Sequence, residues 1–207
     1  MKKIPFVNPS LTISDNVAIV GSSGILRGSE CGKIIDSHTD VIRFNRAPVV
    51  GFESDVGAKT TLRVINNHVF NNNDILHEGY SDQPKDFVRN LRDTKILYFA
   101  SDLDPWRRRD TNTHSSNELF LYEYGATEAI KSHFGFPEEK YPTLGVGFIC
   151  LCVLLDIVPS LYGFDTTNRS RDHYYERSRP DASSYHGVSF EKQFISELSN
   201  QGRVKLN

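Results

Sequence analysis

The sequence predicts an α/β fold: one Rossmann-like domain whose mainly parallel central sheet is flanked by helices. Three observations predict it. Short apolar runs at 17–20, 41–45, 62–65, 96–100 and 160–164 have the length of buried strands and stop at glycine or polar residues. The first run breaks at Gly21-Ser22-Ser23-Gly24, continues into a segment carrying Ile34 and Ile35, and is followed by the second run, the order of a strand–turn–helix–strand unit. The longest apolar stretch, 147–158, again stands just before a strand-like run, as a helix packed on a parallel sheet does.

Composition narrows the class. At 207 residues and 38% hydrophobic, the chain can bury one substantial core, and residues 1–207 read as a single domain. A net charge of -2 and a pI near 6.4 lack the basic excess that a dedicated nucleic-acid binder needs, so the expected partners are small molecules or glycans. No run approaches the roughly 20 apolar residues of a membrane span, and residues 1–9 have neither the apolar core nor the cleavage signature of a signal peptide. The expectation is a soluble, cytoplasmic protein without stable membrane insertion. Cys31, Cys150 and Cys152 form an odd, sparse set that needs no disulfide role.

In chain order, residues 1–16 read as an edge segment or loop leading into the first strand. At Gly21 to Gly24, glycine lets the backbone turn sharply and lets a ligand approach it, while amides opening the next helix would face an anion. Alone, such a turn reads equally well as chain reversal. The second strand ends on Asn45, which a parallel sheet would set beside that turn, at the strand ends where ligands bind. Strand 62–65 runs into Asn66, Asn67 and His68 and then the polar stretch 71–74, a surface loop by composition that still faces the same edge. After 96–100 come Asp102 and Asp104, the DxD spacing of many metal-binding glycosyltransferases, although two acids in a proline-bearing turn are common. Trp106-Arg107-Arg108-Arg109-Asp110 reads first as a solvated loop and second as a contact for an acidic acceptor.

The stretch 115–134 places Leu119, Tyr122, Ala126, Ala129, Ile130 and Phe134 near helical spacing and is predicted as a packing helix. Tyr141-Pro142-Thr143-Leu144-Gly145 precedes the apolar helix 147–158, where amides of a first turn are unpaired. His173-Tyr174-Tyr175-Glu176 and His186-Gly187-Val188-Ser189-Phe190-Glu191 follow the strand 160–164. Phe190, Phe194, Ile195 and Leu198 repeat at helical spacing, which puts His186 just before a helix.

Taken together and in order, these pieces resemble the eukaryotic-type sialyltransferases over nearly the whole chain. The long sialylmotif is matched by Val20-Gly21-Ser22-Ser23-Gly24, Leu26-Arg27-Gly28, Ile35-Asp36-Ser37-His38, Arg43-Phe44-Asn45, Arg46-Ala47-Pro48, the run from Val50 to Gly57 and Thr60-Thr61. The short motif, usually opening Tyr-Pro-Ser-Thr-Gly and closing Tyr-Gly-Phe, is matched by Tyr141 to Gly145 and Tyr162-Gly163-Phe164. The third motif is matched from His173 to Glu176, and the very short motif by His186 with Glu191.

The resemblance implies the GT-A-like variant of the Rossmann-like fold and an inverting, metal-independent transfer from a CMP-sugar to a glycan acceptor. The CMP-sugar is a co-substrate and no cofactor is implied. It carries donor contact onto Ser22, Ser23, Gly24, Asn45, Thr143, Leu144, Gly145 and Phe164, and phosphate contact onto Tyr141 and His173. Two departures bear on the donor: Ser22 replaces the usual Asn and loses an amide's paired donor and acceptor, and Leu144 replaces a Thr. CMP-sialic acid is the first donor and CMP-Kdo the alternative. Golgi members carry a disulfide between the long and short motifs. The corresponding positions here are Val17 and Leu155, a paired loss that a reducing cytoplasm would permit.

Chemistry agrees with the resemblance. CMP leaves as a monophosphate, so hydrogen-bond donors and one imidazolium suffice for its charge, and Asp102 and Asp104 need not hold a metal. The acceptor hydroxyl must lose a proton, a task suited to neutral His186 near a positive helix N-terminus, while His173 would donate to the departing phosphate. Read without the motifs, His186 is a capping residue and His173 a packed aromatic neighbour. Two rivals differ in class. A Rossmann oxidoreductase is disfavoured because Gly21 to Gly24 is not GxGxxG, and an inactive CMP- or glycan-binding protein would share the fold without turnover.

Overall fold

The structure, a computed structural model, describes residues 1–66, 69, 91, 94–98, 118–122, 125–167, 169, 173–175 and 188–207. Near the N-terminus, β1 (Lys2–Lys3) pairs antiparallel with β3 (Thr12–Ile13), and β2 (Val7–Asn8) lies between them in sequence. The remaining strands are β4 (Val17–Val20), β5 (Asp40–Phe44), β6 (Leu62–Ile65), β7 (Lys95–Tyr98), β8 (Leu119–Tyr122), β9 (Ser160–Tyr162) and β10 (Lys205–Leu206). They form a sheet in the order β10-β9-β4-β5-β6-β7-β8-β2, parallel throughout except for β2, which runs antiparallel to β8 at the edge.

This order creates a switch point. From β4 the chain steps outward through β5, β6, β7 and β8, then returns to the other flank of β4 for β9 and β10. The carboxyl ends of β4 and β9 are thus neighbours at the point where the strand order reverses, the place where ligands of such sheets bind.

Side chains alternate across the sheet as strand geometry requires. Val17 and Ile19 of β4 face one apolar layer with Ile42, Phe44, Val64 and Leu97, while Ala18 and Val20 face the other with Val41, Leu26 and Ile35. The first layer is covered by α3 (Ala126–Phe134), α4 (Leu144–Leu154) and α5 (Val188–Asn200), the second by the short α1 (Gly32–Asp36) and α2 (Glu53–Val56). Among the described residues no helix is long and apolar enough to cross a membrane.

Five elements differ from expectation in their boundaries. The stretch 115–134 splits into β8 and α3, with Gly125 at φ 80 ahead of the helix. Phe120 and Tyr122 are buried and Leu121 is exposed, a period of two, and the helical spacing of Leu119, Tyr122 and Ala126 is coincidental. After β4 comes a three-residue 3-10 turn, Gly24–Leu26, rather than a helix, and α1 is delayed by positive φ at Gly28 and Glu30. The apolar helix starts at Leu144 and ends at Leu154, one residue before its cap Leu155 and two before Asp156, whose φ is 53. The strands ending at Asn45 and Phe164 stop short, at Phe44 and Tyr162, because Asn45 and Gly163 take left-handed conformations.

Cys31, Cys150 and Cys152 are free. Val17 is buried in the first apolar layer, and Leu155, the C-cap of α4, packs partly buried against it.

Candidate active site

The glycine turn stays zipped to the neighbouring strand. Gly21 donates its amide to the Tyr162 carbonyl at 2.7 Å and Ser23 to that of Gly163 at 3.2 Å, which fixes the turn against the end of β9. A Cβ on Gly21 would lie 2.5 Å from the Gly163 carbonyl oxygen and 3.2 Å from the Phe164 ring. A Cβ on Gly145 would lie 2.9 Å from the same ring. Glycine at both positions lets the Phe164 ring lodge between two bends 124 residues apart in the chain, whose numbers are 21 and 145. The Ser23 hydroxyl caps the 3-10 turn by accepting from the Ile25 amide at 3.4 Å.

Gly145 is in the first turn of α4, and Thr143 is that helix's N-cap. Its hydroxyl accepts from the Val146 amide at 3.4 Å and donates to Glu191 Oε2 at 3.0 Å, while its own amide donates to Glu191 Oε1 at 2.5 Å. Glu191 is only 6% exposed, so its charge is held by these donors in place of water. The Thr143 hydroxyl proton is thereby committed, and what the residue offers a ligand is orientation of the helix terminus. Leu144 is partly buried against the apolar layer. Tyr141, ahead of the cap, has the Lys131 ammonium 4.3 Å from its ring centroid.

His173 arrives at the same turn. It forms an isolated antiparallel bridge with Ser23, and the next amide, of Tyr174, donates to the Ser22 carbonyl at 2.9 Å. Arg27 holds the segment from the other side, donating to the carbonyls of His173 at 2.5 Å and Tyr174 at 2.8 Å. The His173 ring is buried, with the Tyr175 ring 4.8 Å away. Tyr174 donates its hydroxyl to the Pro48 carbonyl, and burial pushes its pKa up to about 12 against the opposing pull of Arg43 and Arg63.

Asn45 ends β5 at φ 45, a conformation asparagine tolerates better than most residues. Its side-chain oxygen accepts from the Asn66 amide at 3.0 Å and its carbonyl from Arg63 at 2.9 Å. Arg43, 1% exposed, donates to the carbonyls of Val56 at 2.6 Å, Gly57 at 3.1 Å and Lys59 at 3.0 Å, which braces the loop after α2. Desolvation lowers the pKa of both arginines, and for Arg63 the charge of Arg43 adds to it.

The structure thus brings Ser22, Ser23, Gly24, Gly145, Phe164 and His173 to one place at the switch point, with Thr143 and Leu144 opening the helix that carries Gly145. Asn45 lies one strand away, on the far side of β4 from β9. His186, Asp102, Asp104, the basic cluster 106–110 and most of the loop following Asn66 lie outside the described residues. Among the described residues no group of three His, Cys, Asp or Glu side chains is placed to hold a metal ion. Two contacts were not anticipated although their residues stand in quoted motifs: Arg27 clasping the His173 backbone and Glu191 fastening Thr143. Lys131 had no signal, being one polar residue in a packing helix.

Residues 12–203 match the model of glycosyltransferase family 29 (sialyltransferase). The chain is 24% identical over 222 residues to CMP-N-acetylneuraminate-beta-galactosamide-alpha-2,3-sialyltransferase 1 of Mus musculus, covering 98% of this chain and 61% of that protein. It is 29% identical over 220 residues to beta-galactoside alpha-2,6-sialyltransferase 1 of Homo sapiens, covering 89% of this chain and 50% of that one. It therefore spans about half the length of such relatives, 61% and 50% in these two. Among solved structures, a mammalian sialyltransferase in complex with Gal-beta-1-3GalNAc-ortho-nitrophenol superposes with a TM-score of 0.67 at 22% identity, over 92% of this chain and 68% of that one. CstII from Campylobacter jejuni in complex with the substrate analogue CMP-3FNeuAc gives 0.59 at 14% identity, over 92% and 80%. With the fold shared and the family model spanning nearly its whole length, the chain belongs to glycosyltransferase family 29, the sialyltransferases.

Proposed function

We propose that the chain transfers sialic acid from CMP-sialic acid to a glycan hydroxyl, with inversion, without a metal, and with His186 as general base. One observation carries this reading: the Phe164 ring sits between Gly21 and Gly145 at the switch point, with the His173 backbone bonded to the same turn. That arrangement supplies a flat apolar surface and close backbone for a cytidine, and the N-terminus of α4 for a phosphate. The names of the relatives, one specifying CMP-N-acetylneuraminate and a beta-galactosamide and the other a beta-galactoside, support the same donor and a galactose-type acceptor.

The acceptor oxygen attacks the anomeric carbon from the face opposite the phosphate, and its proton passes to His186. The bond from that carbon to the phosphate oxygen breaks, its electron pair leaves with CMP, and His173 and Tyr141 donate to the phosphate as charge grows on it. Lone imidazole catalysis of this kind contributes about a hundredfold or more, so His186→Ala is expected to lower kcat by at least about a hundredfold with CMP affinity retained. The departures at Ser22 and Leu144 bear on the identity of the donor, and CMP-Kdo is the second reading. Incubating the protein with each CMP-sugar and a beta-galactoside, with products weighed by mass spectrometry, tests both: sialylated product supports the first reading, Kdo product alone the second. CMP binding without either product would leave a binding protein.

A further inference from the structure

Lys131 belongs to none of the motifs, yet its ammonium is placed with unusual care. The side chain is 5% exposed on α3. Its Nζ donates to the Glu138 carbonyl at 2.6 Å, lies 3.4 Å from the Glu128 carboxylate, and stands 4.3 Å from the centroid of the Tyr141 ring. Burying an ammonium is unfavourable, and a leucine or methionine would pack the same helix face without that cost. What the charge adds is contact with the segment from Glu138 to Tyr141 that leads into the cap of α4.

We propose that Lys131 is a positioning residue for the donor phosphate: its charge, held under the face of Tyr141, fixes the ring so that the phenol hydroxyl meets the phosphate of CMP. The inference rests on the reading that Tyr141 contacts that phosphate. A cation over an aromatic face constrains the ring's tilt, and a buried cation next to a phosphate site also favours the charge that grows on the leaving group. Glu128 is 54% exposed, so solvent weakens its neutralisation of the ammonium.

The test is CMP affinity by calorimetry, and KM and kcat with CMP-sialic acid, each beside a melting curve. Lys131→Met keeps the length and loses the charge. It is expected to weaken CMP binding and raise KM for the donor about fivefold to tenfold, with Lys131→Arg restoring both to within about twofold. In a Tyr141→Phe background the effect of Lys131→Met should shrink to about twofold, because the hydroxyl being positioned is gone. A lysine that only sews α3 to the following loop would lower the melting temperature and leave CMP affinity unchanged, which overturns the proposal. If the methionine variant does not fold, Lys131→Gln decides by the same measurements: it is expected to weaken CMP binding about fivefold to tenfold, and CMP affinity equal to that of the unsubstituted protein overturns the proposal. Failure of the unsubstituted protein to bind CMP removes the donor-site reading and this one with it. Binding by the unsubstituted protein that Lys131→Met leaves intact removes only the role of Lys131.

Discussion

Gly21 and Gly145 touch the same phenylalanine but differ in what a methyl group would strike. At Gly21 the nearest atom is the Gly163 carbonyl oxygen, backbone that β4 and β9 hold in register, so Gly21→Ala must push the strands apart. A loss of about 1–3 kcal/mol is expected, read as a shifted midpoint in urea unfolding. At Gly145 the neighbour is the edge of the Phe164 ring, at 2.9 and 3.1 Å, and a partly buried ring can tilt. Gly145→Ala is expected to cost less stability, under about 1.5 kcal/mol, while weakening CMP binding, because the ring surface moves. Equal stability losses would contradict the geometry. Glu191→Gln keeps the size of the side chain but has only one acceptor oxygen for two donors, and is expected to destabilise by about 1–3 kcal/mol in the same assay.

The connection between α5 and α4 is what sets the helix terminus in place. An ordinary N-cap threonine contributes about 1 kcal/mol. Here Thr143 also satisfies a buried carboxylate, so Thr143→Ala strips Glu191 of its hydroxyl donor, and about 2–3 kcal/mol is expected. Once Glu191 is alanine the same substitution should fall back toward about 1 kcal/mol, and a double-mutant cycle measures the difference; additive losses would mean that the two side chains act independently. The run at 17–20 was legible as a strand because buried parallel strands are continuously apolar, and 62–65 because only Arg63 interrupts it. Residues 119–122 were not, since four residues followed by a glycine and a helix also fit one long amphipathic pattern. Only pairing with β7 on one side and β2 on the other makes that run a strand.

For the whole molecule, alkaline pH is the sensitive direction. Burial raises the pKa of Cys150, Cys152 and Tyr174, with nearby negative groups adding to it at both thiols. The folded chain therefore keeps protons that the unfolded chain releases once pH passes the ordinary thiol value of 9.0. More protons bound in the folded state means that stability falls as pH rises, by up to about 1.4 kcal/mol per pH unit for each such group. Urea midpoints are expected to drop from about pH 9 to about pH 10, above which the lowered pKa of Arg63, about 10, opposes the fall, and Cys150→Ala combined with Cys152→Ala should flatten the slope. An unchanged slope would mean that these thiols titrate alike in both states.

The sequence by itself determined the class of sheet, the two glycine bends and the identity of most residues gathered near them, because apolar period, glycine and motif order are written locally. What only the tertiary structure decided was their relations: the Phe164 ring lodged between residues 21 and 145, the His173 backbone clasped by Arg27, Glu191 spent on Thr143, and Lys131 under Tyr141. All but the last join elements distant in the chain, and no local pattern encodes which of many buried polar groups will meet. That choice follows from strand order, which places β9 beside β4 and so brings the ends of both strands together.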